Sequence, residues 1–234
     1  SYVSHITDAA TFTRLALAEF TRRGVGQAGT VVAVNDGATW IQGVLDLHCP
    51  AAVRILDLPH AAGYLAQAAQ AAYGPGTAQT SDWFATQRHA LRQGQSARVL
   101  SALAALPTSA ERDTALGYLT ARVPMLAYPA FTEAGYPIGS GCVESANKLV
   151  IAARLKGAGM HWTRAHADSM VGLRTIVEPD RWSGCWDRIS QQLREQPRQA
   201  AAQRRQDRHA RPDRTASRSD TDLAPPSPVV SAPA

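Results

Sequence analysis

Two short apolar runs, TVVAVNDG at 30–37 and AVRILDL at 52–58, flank the segment ATWIQGVLDLHCP, and this spacing limits the fold more than any other feature of the chain. The first run is almost wholly apolar and ends in Asp-Gly, which reads as a strand buried on both faces. The middle segment reads as a helix ended by Pro50, and the second run as another strand. Together they make a βαβ unit whose two strands run parallel, adjacent or nearly so. Each strand ends in an acid, Asp36 or Asp57, and in such sheets ligands and chemistry gather outside the carboxyl ends of the strands.

The flanking sequence is helical. Thr7 or Asp8 is placed to cap a helix that carries Phe12, Leu15, Ala16, Glu19 and Phe20 at helical spacing and stops at Gly24. Residues 59–134 hold four helical segments separated by Gly, Pro and capping residues, and Thr108 with Glu111 fits a capping box. No third strong strand follows Leu58. The stretch GYPIGSGCVESANKLVIAARLKGAGMHW at 135–162 then predicts a helix from about Cys142 to Lys156, and two further helices are expected, capped by Thr163 and Ser183. Beyond Gln196 the composition turns to Arg, Gln, Ala, Asp, Ser and Pro, which predicts a disordered tail.

A chain of 234 residues can bury a real core, and 45% hydrophobic with 18% charged residues is ordinary for a globular protein. No apolar run is long enough to cross a bilayer, and the first residues lack the pattern of a secretory leader. Three widely spaced cysteines, Cys49, Cys142 and Cys185, suit a reducing cytoplasm and a packing role. The formal charge is +5. Between Leu193 and Asp222 eight Arg stand against five acids, so much of that charge sits in the tail and the rest of the chain is only mildly basic.

Three carboxylates stand out: Asp36, Asp57 and Glu144. Acids gathered at one end of a sheet raise one another's pKa unless a cation shares the site. Without a cysteine or histidine ligand set they favour hard ions such as Mg²⁺ or Mn²⁺, and two such ions about 4 Å apart clamp a phosphodiester for in-line attack. Each acid also has an ordinary structural role open to it. Asp36 can close the turn at Gly37, Asp57 or Leu58 can cap the helix starting near Pro59, and Glu144 can favour a helix N-terminus or pair with Lys148 four residues on. His60 suits an exposed first-turn position.

In order, VVAVNDGATWI, ILDLPHA, and YPAFTEAGYPIGSGCVESANK followed by RLKGAGMHW resemble the DDE-type transposases of bacterial insertion sequences, in particular the Kra-type group related to the eukaryotic Mutator-like enzymes. The resemblance covers residues 1–182 and implies an α/β, RNase H-like catalytic core interrupted by an all-helical insertion. It divides the chain into a partial core at 1–58, the insertion at 59–134, C-terminal core helices at 135–196 and a basic, Pro-rich tail at 197–234. It implies that Asp36 and Glu144 are catalytic and hold two Mg²⁺ or Mn²⁺ ions, that Asp57 and His60 support them, and that Asn147, Lys148, Arg154 and Lys156 contact DNA phosphates. Leu58 and Pro59 stand where the family has an aromatic pair. The first aspartate of the family's triad has no counterpart here, so the expectation is an N-terminally incomplete core, inactive alone. The implied function is DNA transposition: hydrolysis at the element's ends, then attack of the freed 3′ hydroxyl on target DNA. The implied partners are double-stranded DNA and a further copy of the chain, in the bacterial cytoplasm near the nucleoid.

Within the helix, the Gly-Ser-Gly turn is expected to aim Glu144 into the cleft, and Trp162 is expected in the core. Two other readings stay open. One is a non-catalytic DNA-binding or interaction remnant of a transposase. The other is a doubly wound nucleotide-binding domain, which GVGQAG disfavours because it precedes a strand instead of following one.

Overall fold

Asp8 begins the first helix, α1 (Ala9–Arg22), by accepting hydrogen bonds from the backbone N–H and the hydroxyl of Thr11. Across its last turn Arg22 and Arg23 donate to the Glu19 carboxylate, and these bonds hold that carboxyl well below its ordinary value, at about 2. The structure, a computed structural model, describes residues 2–177 and 182–209. Gly24, at φ 69°, turns the chain out of α1.

The βαβ unit follows as the apolar runs dictate. Strand β1 (Val32–Asn35), helix α2 (Thr39–His48) and strand β2 (Val53–Leu56) form a parallel pair in register from Val32 opposite Val53 to Asn35 opposite Leu56. The two strands are unequal in burial. Ile55 and Leu56 of β2 are fully buried, whereas all of β1 is only half-buried, so the expectation of a first strand covered on both faces is corrected. β2 lies beneath the helices that follow it, while Val32 and Val34 of β1 pack against the same core only half-buried.

Those helices are α3 (Leu58–Tyr73), α4 (Ala78–Arg92), α5 (Ser96–Ala104), α6 (Ala110–Thr120) and α7 (Tyr128–Glu133). Their apolar stripes supply most of the core: Leu65, Leu91, Val99, Leu103, Leu119 and Tyr128 are buried together with Ile55 and Leu56. The Tyr128 hydroxyl crosses that core to donate to the Leu56 carbonyl at 3.0 Å, and burial pushes its pKa upward. Helix α6 is capped by Ser109, which accepts from the Arg112 N–H at 3.1 Å, one residue later than the Thr108–Glu111 box read from sequence.

Helix α8 (Gly141–Ala146) runs into a π-helical turn, Asn147–Ala152, and then into α9 (Ala153–Leu155). The segment expected as one regular helix therefore carries a widened turn in its middle, a feature that shifts the faces on either side of it. Arg174 on helix α10 (Arg164–Val177) donates to the Leu149 carbonyl inside that turn at 2.7 Å, and Val150 and Val171 are buried nearby. Thr163 receives a hydrogen bond from the His166 N–H at the start of α10, as its capping role requires. Trp162 is exposed, which corrects its expected place in the core.

These elements belong to one compact unit, Ser1–Asp180; a second begins at Arg181 and is described by itself. It contains α11 (Trp182–His209), with the Trp182 and Trp186 rings stacked 5.0 Å apart. Helix α11 starts before Ser183 and continues past Gln196, so 197–209 of the tail expected to be disordered is helical. Arg, Gln and Ala are strong helix formers, and together they carry the helix through Pro197, which gives up one backbone hydrogen bond. The rest of that tail, 210–234, lies outside the described residues.

The RNase H-like α/β core implied by the resemblance is overturned. Such a core needs a larger mixed sheet, and among the described residues the sheet has two parallel strands only, in a chain that is otherwise mostly helical. The physical reason is visible in the sequence. Among the described residues only the runs at 30–37 and 52–58 yield strands; the segments around them are helical and fill the core with Leu and Ala from helices. Among the described residues no helix is long and apolar enough to cross a membrane.

Candidate functional site

The parallel pairing brings the two strand-end acids together. The Asp57 N–H donates to the Asn35 carbonyl at 2.8 Å, extending the ladder by one residue, so Asp36 and Asp57 leave neighbouring strands at the same level. Both side chains line one cavity of about 470 Å³, together with His60, Ser140 and Glu19. Apart from Asn35, its remaining wall is apolar, formed in part by Phe12, Trp40, Ile41 and Val44. Acidic groups at the mouth of an apolar hollow are the arrangement expected of a ligand site.

Local chemistry fixes each acid. The Asn35 Oδ1 atom accepts from the Gly37 N–H at 2.8 Å and from Gln42 Nε2 at 3.0 Å, and Asp36 Oδ1 accepts from the Ala38 N–H at 2.9 Å. Asp36 thus closes its turn with one oxygen while lining the cavity. Asp57 is buried and stands at the N-cap position of α3, yet its side chain makes no capping bond. Its Oδ1 instead accepts from the Ser140 N–H at 2.9 Å, and the Leu58 N–H donates to the Ile138 carbonyl at 3.0 Å. The stretch that opens the late helix is therefore strapped to the end of β2 through a buried carboxylate.

An aromatic group adjoins these acids. His60 is exposed and meets Tyr64 and Tyr118 edge-on, at 5.5 and 5.9 Å between ring centres, and the two tyrosines stack at 4.0 Å. The guanidinium of Arg122 lies 3.8 Å from the centre of the Tyr118 ring. The Tyr118 hydroxyl donates to the Asp36 carbonyl, and Arg122 donates to the Gly37 carbonyl from Nε at 3.0 Å and Nη2 at 2.8 Å. Sequence reasoning missed Tyr64, Tyr118 and Arg122. They come from α3, α6 and the residues just after α6, far apart in the chain, and no short motif marks them.

Glu144 does not join the pair. Its side chain is 70% exposed and sits 3.2 Å from the Lys148 ammonium, an i,i+4 surface ion pair contributing a few tenths of a kcal/mol. Its neighbour Val143 lines the cavity, but Glu144 does not. Within the Gly-Ser-Gly turn neither Gly139 nor Gly141 has positive φ; in this region that conformation falls on Gly135, at 76°. Asn147, Lys148, Arg154 and Lys156 are all exposed. Asn147 lines a separate cavity of about 650 Å³ with Arg23, Cys142 and the Tyr2–Ser4 end of the chain, and no carboxylate lines that cavity.

The donor set fits a hard divalent ion in one form only. Mg²⁺ takes one or two carboxylates and keeps water or substrate phosphate for its other positions, which matches Asp36 and Asp57 on one cavity. A closed cage does not match: among the described residues no group of three or more His, Cys, Asp or Glu is placed to hold a metal.

No protein-family model, curated protein or solved structure matches the chain.

Proposed function

We propose that this chain takes part in DNA transposition, the cutting of phosphodiesters at element ends and their joining to target DNA, with Asp36 and Asp57 as carboxylates that hold Mg²⁺ or Mn²⁺ and with no cutting expected of the chain alone. The observation that carries the reading is the placement of these two acids at the carboxyl ends of adjacent parallel strands, on one cavity. The motif resemblance supplies the reaction. The ion, when bound, offsets phosphate charge and makes the attacking oxygen easier to deprotonate.

The chain's own residues do the rest. Backbone N–H groups of Ala38 and Ser140 orient one oxygen of each acid, with Asp57 buried and Asp36 open to solvent beside the apolar wall of the cavity. Lys148, Arg154 and Lys156 are exposed cations suited to holding phosphates, in a manner that weakens with salt. Glu144 enters this proposal through the motif alone, as the acid that the family's pattern assigns to catalysis.

A second reading, a DNA-binding module without catalysis, is favoured by the engagement of Glu144 with Lys148 and by the lack of a three-ligand group among the described residues. The two part on metal dependence. Association with a labelled duplex, followed by fluorescence anisotropy at fixed ionic strength, is expected to be about tenfold tighter with Mn²⁺ than with EDTA. That gain should vanish in Asp36→Asn and Asp57→Asn and survive in Asp82→Asn, an exposed acid on α4. Equal binding with and without Mn²⁺ in the wild-type chain would favour the non-catalytic module.

A further inference from the structure

We infer that Tyr118 and Arg122 are positioning residues for Asp36, forming a latch by which the helical block sets the geometry of the carboxylate pair. The inference rests on the proposed role of Asp36 and extends it to side chains more than 80 residues away in sequence.

The turn after β1 has to present Asp36 into the cavity and then start α2 within three residues. Its own side chains hold only part of it: Asn35 takes the Gly37 N–H and Asp36 the Ala38 N–H. The carbonyls of Asp36 and Gly37 are both taken by one stretch of chain at the end of α6. The Tyr118 hydroxyl donates to Asp36 O, while Arg122 places Nε and Nη2 on Gly37 O. A forked guanidinium on a single carbonyl restrains orientation as well as distance.

The latch is itself braced. Arg122 Nη1 donates to the Tyr118 carbonyl at 2.9 Å, its guanidinium covers the Tyr118 ring, and Tyr64 stacks on the same tyrosine. Gly37 shows how closely the parts fit. A Cβ there would lie 2.5 Å from Arg122 Nε and 2.7 Å from its Cδ, so the guanidinium packs against the turn where only glycine leaves room. Side chains that hold a ligating group in place typically change metal affinity by 10- to 100-fold when removed.

The test compares the wild-type chain with Tyr118→Phe, Arg122→Gln, the double variant and Arg122→Lys, using backbone hydrogen exchange over residues 35–38 and titration with Mn²⁺. The double variant should exchange the Gly37 and Ala38 amides at least about tenfold faster and bind Mn²⁺ about tenfold more weakly, at a melting temperature within a few degrees of wild type. Arg122→Lys, which keeps the charge and loses the fork, should recover part of each loss. Unchanged exchange in a folded double variant overturns the latch. So does faster exchange with unchanged Mn²⁺ affinity, provided Asp36→Asn weakens it. If Asp36→Asn leaves Mn²⁺ binding untouched, the metal reading fails instead, and the exchange data alone then decide whether Tyr118 and Arg122 hold the Asp36 turn.

Discussion

Gly37→Val should destabilise the first unit by about 3–5 kcal/mol and remove metal-dependent DNA binding along with it. Gly37 sits at φ 73°, a region that costs a non-glycine residue about 1–3 kcal/mol and a β-branched one most. The new Cβ would also meet Arg122 Nε at 2.5 Å, Arg122 Cδ at 2.7 Å and Leu56 Cδ1 at 2.9 Å. Leu56 is fully buried and cannot give way, so Arg122 must leave the Gly37 carbonyl, and overpacking of this kind adds about 1–3 kcal/mol. Thermal unfolding followed by circular dichroism should show a fall on the order of 10 °C. Gly37→Ala separates the two causes. It keeps the φ penalty and the Cβ clash without the extra branches, so a loss close to that of valine would place most of the cost in the backbone conformation and the Cβ contacts together, not in the branches.

Leu65→Ala should cost about 3 kcal/mol or more, while Val34→Ala should cost about 1 kcal/mol. Leu65 lies on α3, is wholly buried, and belongs to the same core as Leu91, Leu103 and Leu119. Truncating it removes transfer energy and leaves a cavity among helices that are held on several sides. Val34, on β1, is half-buried and borders the site cavity, so its truncation enlarges a space that is already open. Denaturant unfolding measures both. The order matters more than either value, because a fold organised around its sheet would be hurt more by the strand variant. The present core is supplied mainly by helices, with β2 buried in it and β1 half-buried against it.

Much of this arrangement could be read from the chain. The βαβ unit was legible because an apolar run ending in Asp-Gly, a helix ended by Pro50 and a second apolar run admit few other structures, and the parallel ladder then places Asp36 beside Asp57. A cap at Thr7 or Asp8 was legible from local chemistry, and Asp8 takes the role. What lay hidden is mostly non-local. The RNase H-like sheet was carried by resemblance, not by strand patterns, and the only strand-like runs could not supply it. Asp57 looked like a helix cap, but its partner, the Ser140 N–H, is 83 residues away. The widened turn at Asn147–Ala152, whose Leu149 carbonyl Arg174 reaches from α10, is not revealed by a helical period. The latch from α6 unites residues that no spacing rule connects. Ser109 in place of Thr108 is a shift of one residue, the scale at which capping signals are ambiguous.

The most direct measurement is a titration of the chain with Mn²⁺, read by the loss of the free-ion electron paramagnetic resonance signal, in wild type, Asp36→Asn, Asp57→Asn and the double variant. If Asp36 and Asp57 form a divalent-cation site, wild type takes up Mn²⁺ with a defined stoichiometry, each single variant weakens that uptake at least about tenfold, and the double variant loses it while staying folded. Uptake that is the same in wild type and in the folded double variant would contradict the account, because the two strand-end acids would then hold no ion.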